Sequence, residues 1–360
     1  MLIYLTFFSI LSLLPTEVND TNFFSFHKDE FFYIVSSDSV YATKHGNTYE
    51  KWAHEMTWSH FKFTQIDGAK ETLLLSNGGG VLYRFKNRKF ERLDKSFEHR
   101  NKFRSFDFSF ENKIFSYGGY GLFNDNSNLT FFDPINQEWS EFLYHPESMA
   151  PEARQSPLGQ FTDSVLYIAG GINSRVSNKI ELKINLLTGI WKLEFINRKW
   201  TYLGESMFNQ FIDLDTFFIT PAIKIPFKGG VLIINREKVL WIDIEKNKIL
   251  EYQKVNAILY DKISNIYFNP SSNLFMITKQ DSNSQSNRFI FMTSTELLGE
   301  SIKEHKLYKE EFKSELYLIL IPIIMLVIFA IYLKSISKNN YTQIQQKIKC
   351  YKKRFKYSRL

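Results

Sequence analysis

Residues Ile114–Trp139, IFSYGGYGLFNDNSNLTFFDPINQEW, combine the features that decide the fold. An apolar run ends at the glycine pair Gly118–Gly119, a polar loop and a second apolar run follow, and Trp139 comes six residues after Asp133. Short apolar runs separated by glycine and polar residues are typical of β-strands joined by tight turns. The stretch therefore predicts paired strands, and a copy elsewhere would make it a repeat unit.

A second copy lies 52 residues downstream, at Val165–Trp191. Its glycine pair is Gly170–Gly171, and Asn185 precedes Trp191 by six residues, as Asp133 precedes Trp139. Weaker copies of the apolar run recur along the chain, at residues 30–36, 71–77, 229–235 and 273–279. A period near 50 residues built from short strands predicts a β-propeller. Counting the runs gives about six blades within residues 22–299, with five and seven as the alternatives.

The two strong copies resemble the kelch repeat. Pro151 and Arg154, which precede the second copy, match the proline and arginine that kelch units often carry before their first strand. The resemblance implies an all-β, kelch-type β-propeller of about six four-stranded blades. It also implies structural roles, with glycines at crowded strand ends and tryptophans between adjacent blades, for Gly118, Gly119, Trp139, Gly170, Gly171 and Trp191. We further expect residues Phe23–Phe26 to pair in the final blade and close the ring.

Composition supports strands and limits the partners. The chain contains 35 Phe and 19 Tyr, which favour half-buried strands. Nine of its Lys and Arg residues lie in residues 334–360, which contain no Asp or Glu, so the other 333 residues carry a net charge of about −2. The charge of the body therefore indicates no nucleic-acid contact. The only cysteine, Cys350, lies in the basic segment, so no intrachain disulfide can form.

Two apolar segments predict how the chain meets a membrane. Residues 1–16 are typical of a signal peptide, although a first buried strand is the alternative. Residues 316–333 contain eighteen residues without a charge and predict one transmembrane helix, preceded by a juxtamembrane connector at residues 300–315. The basic residues of segment 334–360 place this tail in the cytoplasm and the propeller outside. We expect the helix and the tail to contact membrane lipid.

No residue pattern nominates a catalytic or metal site. The seven histidines show no metal-ligand spacing, and the single cysteine, beyond the predicted span, rules out the copper-radical chemistry of kelch-type oxidases. No cofactor is expected. An exported propeller enzyme acting on sugars, similar to a sialic-acid epimerase or a sialidase, remains the alternative, but no acid and base stand out.

Binding is the remaining hypothesis, and the loops after the glycine pairs are its candidates. We expect them to emerge on one face of adjacent blades and to offer ligand-binding side chains, namely Tyr120, Phe123, Asn124, Asp125, Asn173 and Arg175. The simpler alternative is that they are solvated loops. The expected partner is an extracytoplasmic protein or glycan. If the chain is a sensor, a cytoplasmic regulatory partner is also expected, because the tail is too short to hold an output domain.

Overall fold

The computed structural model divides the chain into two compact units, Met1–Lys309 and Glu310–Leu360. It describes residues 23–56, 63–66, 69–95, 102–176, 182–207, 223–234, 239–252, 263–280, 287–309, 322–332, 334 and 344–349. Within these ranges the first unit contains 28 strands and one short helix. The fold is therefore all-β, as predicted.

Six antiparallel sheets form the blades of a six-bladed β-propeller. Blade 1 contains β1 (Phe24–Lys28), β2 (Phe31–Val35), β3 (Ser39–Thr43) and β4 (Glu50–Ala53), and blade 2 contains β5 (Phe63–Gln65), β6 (Thr72–Ser76), β7 (Leu82–Lys86) and β8 (Lys89–Arg92). Blade 3 contains β9 (Phe106–Phe110), β10 (Lys113–Tyr117), β13 (Leu129–Asp133) and β14 (Glu138–Phe142), and blade 4 contains β15 (Leu158–Thr162), β16 (Val165–Ala169), β19 (Gly189–Glu194) and β20 (Lys199–Glu205). Blade 5 contains β21 (Ile223–Phe227), β22 (Gly230–Ile234), β23 (Val239–Asp243), β24 (Lys248–Tyr252) and β28 (Ser301–Lys306), and blade 6 contains β25 (Ile263–Asn269), β26 (Leu274–Gln280) and β27 (Asn287–Thr293).

The hydrophobic core consists of one cluster between each pair of neighbouring blades. Alternate side chains of an inner strand point to opposite neighbours, so Phe24 and Phe26 of β1 pack against Phe85 of blade 2. Five further clusters among the described residues join blades 2 and 3, 3 and 4, 4 and 5, 5 and 6, and 6 and 1. The helix α1 (Ser294–Leu298) adds Leu297 and Leu298 to the cluster between blades 5 and 6. The aromatic content of the sequence thus fills the spaces between blades.

Ring closure differs from the expectation for Phe23–Phe26. Strand β1 pairs with β2 of its own blade and not with the final blade, so that prediction was wrong. Blade 1 instead packs on blade 6 through side chains: Phe32 lies 5.4 Å from Phe291 between ring centroids. Asn269 Nδ2 also donates to the carbonyl of Asp29 at 2.9 Å. An alternating Phe-rich strand suits either arrangement, so the sequence pattern alone did not distinguish them.

The propeller extends past residue 299 into the predicted connector. Strand β28 pairs antiparallel with β24 as a fifth strand of blade 5. Leu307 and Tyr308 are then buried in the cluster between blades 4 and 5. Asn247 accepts from the Tyr308 N–H at 2.8 Å and donates to the Tyr308 carbonyl at 3.1 Å. Residues 301–309, which we call the exit strap, therefore belong to the propeller. The many charged side chains of this segment are typical of a linker, but they also suit an edge strand, because its outer side is exposed to solvent.

The second unit is described in part. Residues 322–332 are helical and lie within the predicted span 316–333, whereas residues 316–321 and 333 of that span lie outside the described residues. Residues 1–16, and all of the basic tail except residues 334 and 344–349, also lie outside them. Among the described residues, no helix combines the length and the apolar character that crossing a membrane requires.

His27 in β1 makes the stability of the propeller depend on pH. Gln65 fixes its backbone, accepting from the His27 N–H at 2.8 Å and donating to its carbonyl at 2.9 Å. Burial lowers the pKa of His27 from 6.5 to about 4. Between these values the unfolded chain binds a proton that the folded chain does not, so stability is lost as pH falls. We expect the free energy of unfolding to decrease by up to about 3 kcal/mol from this group.

Urea unfolding of the chain and its His27→Gln variant, measured between about pH 4 and pH 7, checks this prediction. The difference between the two proteins should change with pH, because only the wild type carries the histidine. A difference that stays constant over this range would contradict it.

Candidate functional site

Two short hairpins are inserted at the glycine pairs of blades 3 and 4. The first contains β11 (Tyr120–Gly121) and β12 (Asn124–Asp125), and the second contains β17 (Ile172–Val176) and β18 (Leu182–Leu186). Each hairpin lies between the second and third strands of its blade, and β12 lies beside β17. We call the two hairpins together the ledge. The loops that the sequence nominated are therefore neighbours on one side of the propeller.

The glycine pairs let the chain leave the sheet at this point. Gly118 and Gly119 have φ angles of 69° and 86°, a region that side chains disfavour. A Cβ on Gly118 would lie 2.7 Å from the carbonyl oxygen of Arg154, in the connection to blade 4. The Gly119 N–H donates to that same oxygen at 2.7 Å. Both the conformation and the close approach thus require glycine here.

A buried cation closes the base of each hairpin. Lys102 Nζ donates to the carbonyls of Ser116 and Asn128, each at 3.0 Å. Arg154 is placed equivalently in the next blade, where its Nη1 donates to the carbonyls of Gly170 at 2.8 Å and Gly189 at 3.4 Å. In blade 4 the two carbonyls lie just past the last pair of β16 and β19, whereas in blade 3 the Asn128 carbonyl also accepts from the Gly118 N–H at 3.2 Å. Each cation thus supplies a donor to carbonyls at the base of a hairpin.

Burial makes the protonated form of both side chains less stable. It lowers the pKa of Lys102 to about 7 and also lowers the pKa of the Arg154 guanidinium. Sequence reasoning identified Arg154 but missed Lys102. The signal was available, since the two residues are separated by the 52 positions that separate the glycine pairs.

The two predicted tryptophans occupy different strands. Trp139 lies in the outer strand β14, packs against blade 2 and donates from Nε1 to the Gly80 carbonyl at 3.2 Å. Trp191 lies in the third strand β19, is partly exposed, and packs on Tyr202 at 5.0 Å between ring centroids. The counterpart of Trp139 in blade 4 is Trp200, which is buried as the second residue of β20. The hairpin inserted in blade 4 is longer than that in blade 3. A tryptophan at the same distance from the glycine pair therefore lies on a different strand of the blade.

Asp125 joins the two hairpins into one structure. Its Oδ2 accepts from the backbone N–H of Ser174 at 2.5 Å and from the Ser174 hydroxyl at 3.1 Å. Its Oδ1 accepts from Gln155 Nε2 at 3.0 Å, and Gln155 Oε1 accepts from Arg104 Nη1 at 3.2 Å. Both carboxylate oxygens are therefore occupied within the protein. The geometry makes Asp125 a structural link between the hairpins.

The first hairpin ends in two exposed apolar residues, Leu122 and Phe123, which we call the tip. Their side chains are 76% and 91% exposed. Both residues have positive φ angles, 51° and 67°, which bulky residues seldom adopt. Positive φ at both residues is the geometry of a two-residue turn, which the pairing of Gly121 with Asn124 requires here. The tip is thus an apolar projection from the ledge.

The other nominated residues lie around this tip or below it. Tyr120 is partly buried and exchanges backbone hydrogen bonds with Phe103, both at 2.7 Å. Asn124 is exposed beside the tip, and its side chain donates to the Leu122 carbonyl at 3.4 Å. Asn173 is buried and accepts from Asn185 Nδ2 at 3.0 Å. The backbone of Arg175 lies in β17, and its side chain falls outside the described residues.

Positive charge lies beside the ledge. Arg104 is exposed, and its backbone N–H donates to Asn77 Oδ1 at 3.2 Å while its carbonyl accepts from the Ser156 N–H at 2.7 Å. Lys224 Nζ donates to the Ser156 carbonyl at 3.0 Å. Burial, and secondly the charge of Arg104, lower the pKa of Lys224 to about 7. Arg104 and Lys224 are therefore close enough to interact electrostatically.

The described residues contain no group of three or more His, Cys, Asp or Glu side chains that could hold a metal ion. The arrangement can therefore offer an apolar contact and a cationic hydrogen-bond donor.

Comparison with known proteins gives no family assignment. A scan of the chain against models of protein families finds no match, and a search of curated proteins finds no relative at a significant level. The resemblance to kelch repeats therefore stays a prediction from the residues of this chain, carried by a six-bladed propeller whose third and fourth blades share glycine pairs and buried cations.

Proposed function

We propose that this propeller is a binding protein that docks a protein partner on the ledge. The observation that carries the proposal is the tip, where Leu122 and Phe123 project 76% and 91% exposed from a hairpin fixed by Asp125. A large apolar side chain on a rigid element is the usual anchor of a protein interface, because little conformational entropy is lost when it is buried. The tip thus supports docking into an apolar pocket of the partner.

A protein partner is favoured over a glycan by the state of the polar groups. Sugar recognition needs side chains that exchange hydrogen bonds with hydroxyl groups. The side chains of Asp125 and Asn173, however, already make hydrogen bonds within the protein. Leu122 and Phe123, 76% and 91% exposed, offer an apolar contact instead. We therefore assign the ledge to protein binding, with glycan binding as an outcome that the test must exclude.

We also propose that the third and fourth blades are kelch-type repeats in a membrane-anchored, extracytoplasmic protein. The glycine pairs and the buried Arg154 support the first part. The uncharged run 316–333 and the basic residues that follow it support the second, with the propeller outside, a signal peptide at residues 1–16 and the tail in the cytoplasm. In this arrangement the propeller is the sensor part of a signalling system, and the tail contacts lipid and a regulatory partner.

The binding function is tested on the full chain in lipid nanodiscs. It is applied to arrays of glycans and of extracellular protein domains, as wild type and as the double variant Leu122→Ser, Phe123→Ser. We expect the wild type to bind a protein domain and the variant to lose at least about tenfold in affinity, since burying two large apolar side chains stabilises by more than 1.4 kcal/mol.

Ile135→Ser is the matched control, because Ile135 is 88% exposed on a different turn of the same blade. It should bind as the wild type does. Binding only to glycans, or protein binding that survives loss of the tip, would contradict the proposal. Metal-free turnover of sialosides by the same preparation would favour the enzyme alternative instead.

A further inference from the structure

Arg104 is a charged group with unused hydrogen-bonding capacity on the side of the propeller that carries the ledge. Its exposed guanidinium donates one hydrogen bond, at 3.2 Å, to the neutral amide oxygen of Gln155. Among the described residues no carboxylate lies within ion-pair distance of it. A guanidinium has five N–H donors in a planar fork, suited to a carboxylate with two parallel bonds. Most of the fork is therefore open to a ligand.

The backbone of Arg104 is held in place, and its side chain is oriented by Gln155. Arg104 has a φ of 58°, and its N–H and carbonyl are fixed by Asn77 and Ser156 at 3.2 and 2.7 Å. These contacts come from the connections of blades 2 and 4, so the residue is held at the junction of three blades. A charged residue whose backbone is fixed before binding loses less freedom on binding than one on a mobile loop.

The guanidinium and the tip can reach one ligand together. Phe103, the residue before Arg104, pairs with Tyr120, and the tip begins two residues after Tyr120. At about 3.3 Å per extended residue, the backbone positions of Arg104 and Leu122 are separated by roughly 10 Å. An extended peptide covers this distance with three or four residues. One short segment can thus place an apolar contact on the tip and an acidic group on Arg104.

We propose that the ledge recognises a polypeptide segment in which a carboxylate, bound by Arg104, lies three or four residues from an apolar contact with the tip. This inference rests on the proposed binding function and adds the chemistry of the partner. Asp125 does not compete for Arg104, because the Gln155 amide separates them and Ser174 occupies the other carboxylate oxygen. Lys224 lies close enough to Arg104 for that charge to lower its pKa.

A phage-displayed random dodecapeptide library is the probe, selected on the full chain in nanodiscs. We expect enriched peptides to carry Asp or Glu three or four residues from an aromatic or aliphatic residue. For a synthetic peptide of the enriched sequence, Arg104→Gln should raise the dissociation constant about tenfold, as should changing the acidic residue to its amide. The Arg104→Gln protein with the amide peptide should lose no more affinity than either single change causes, because both changes remove the same contact.

Arg198→Gln is the matched control. Arg198 is also an exposed arginine at positive φ, 54°, but it lies in the turn between β19 and β20. It should leave binding unchanged, and circular dichroism should show that both variants fold. Salt should weaken binding to the wild type more than binding to Arg104→Gln.

The outcomes separate the two proposals. The inference would be overturned if the enriched peptides lack acidic residues, or if the Arg104→Gln variant binds them as tightly as the wild type. The proposed binding function would still stand in either case if peptide binding depends on Phe123. A library that yields no peptide dependent on Arg104 or on the tip would contradict both. Arg104-dependent binding of acidic glycans, with no peptide enriched, would overturn the choice of a polypeptide.

Discussion

The Arg154→Met variant is expected to lose about 3–4 kcal/mol of unfolding free energy. Its guanidinium is nearly inaccessible and donates to three carbonyls, those of Glu152, Gly170 and Gly189. Hydrogen bonds from a charged donor contribute about 1.5–3 kcal/mol each. The variant no longer has the cost of burying a charge, which offsets part of the loss of these bonds. Methionine keeps much of the volume but leaves the carbonyls of the second hairpin without this donor. Equilibrium urea unfolding followed by tryptophan fluorescence measures the change.

Arg198→Met provides the control for this variant. The exposed Arg198 lies over the Phe142 ring at 5.5 Å, a contact worth less than about 1 kcal/mol. If the free energy of unfolding of Arg154→Met lies within about 1 kcal/mol of the wild-type value, water must replace the guanidinium at these carbonyls. The buried cation would then not be needed to hold the hairpin.

Gly118→Ala is expected to lower the free energy of unfolding by about 3 kcal/mol. Part of the cost, about 1 kcal/mol, comes from placing a Cβ on a residue with φ of 69°. The larger part comes from the 2.7 Å approach to the Arg154 carbonyl, which forces two connected blades apart. The measurement is again urea unfolding of the full chain.

Gly229→Ala isolates the first part of that cost. Gly229 has a similar φ of 76°, but a Cβ there meets no atom within 4 Å. It should therefore cost about 1 kcal/mol, from conformation alone. Equal losses in the two variants would show that the contact between the blades yields to the added methyl group.

The glycine pairs allowed the position of the ledge to be predicted from the sequence. Gly118–Gly119 and Gly170–Gly171 are local signals, because the backbone conformation they permit does not depend on distant residues. Their 52-residue separation placed two equivalent strands in adjacent blades, and the loops that follow them lie side by side. What the loops present was not predictable in this way. The exposure of Phe123 and the internal use of Asp125 depend on packing between two blades.

The errors had a common physical origin in long-range pairing. Trp191 was aligned by spacing with Trp139, although an inserted hairpin of different length changed the strand on which it lies. Phe23–Phe26 fitted the final blade as well as its own, because alternation specifies a face and not a partner. Strand β28 carries the charges of an exposed edge, so its sequence resembles a linker until its pairing with β24 is known.

The exit strap determines the order in which the propeller can fold. Strand β28 pairs with β24, about 50 residues earlier in the chain, and Leu307 completes the core between blades 4 and 5 only after the strands of blade 6 have been made. During synthesis from the N-terminus, the chain can thus complete blades 1 to 3 in sequence. Blades 4 to 6 can be completed only once residues 301–309 have been synthesised. Such non-local pairing slows folding, so blades 4 to 6 are expected to assemble together as a late, cooperative step.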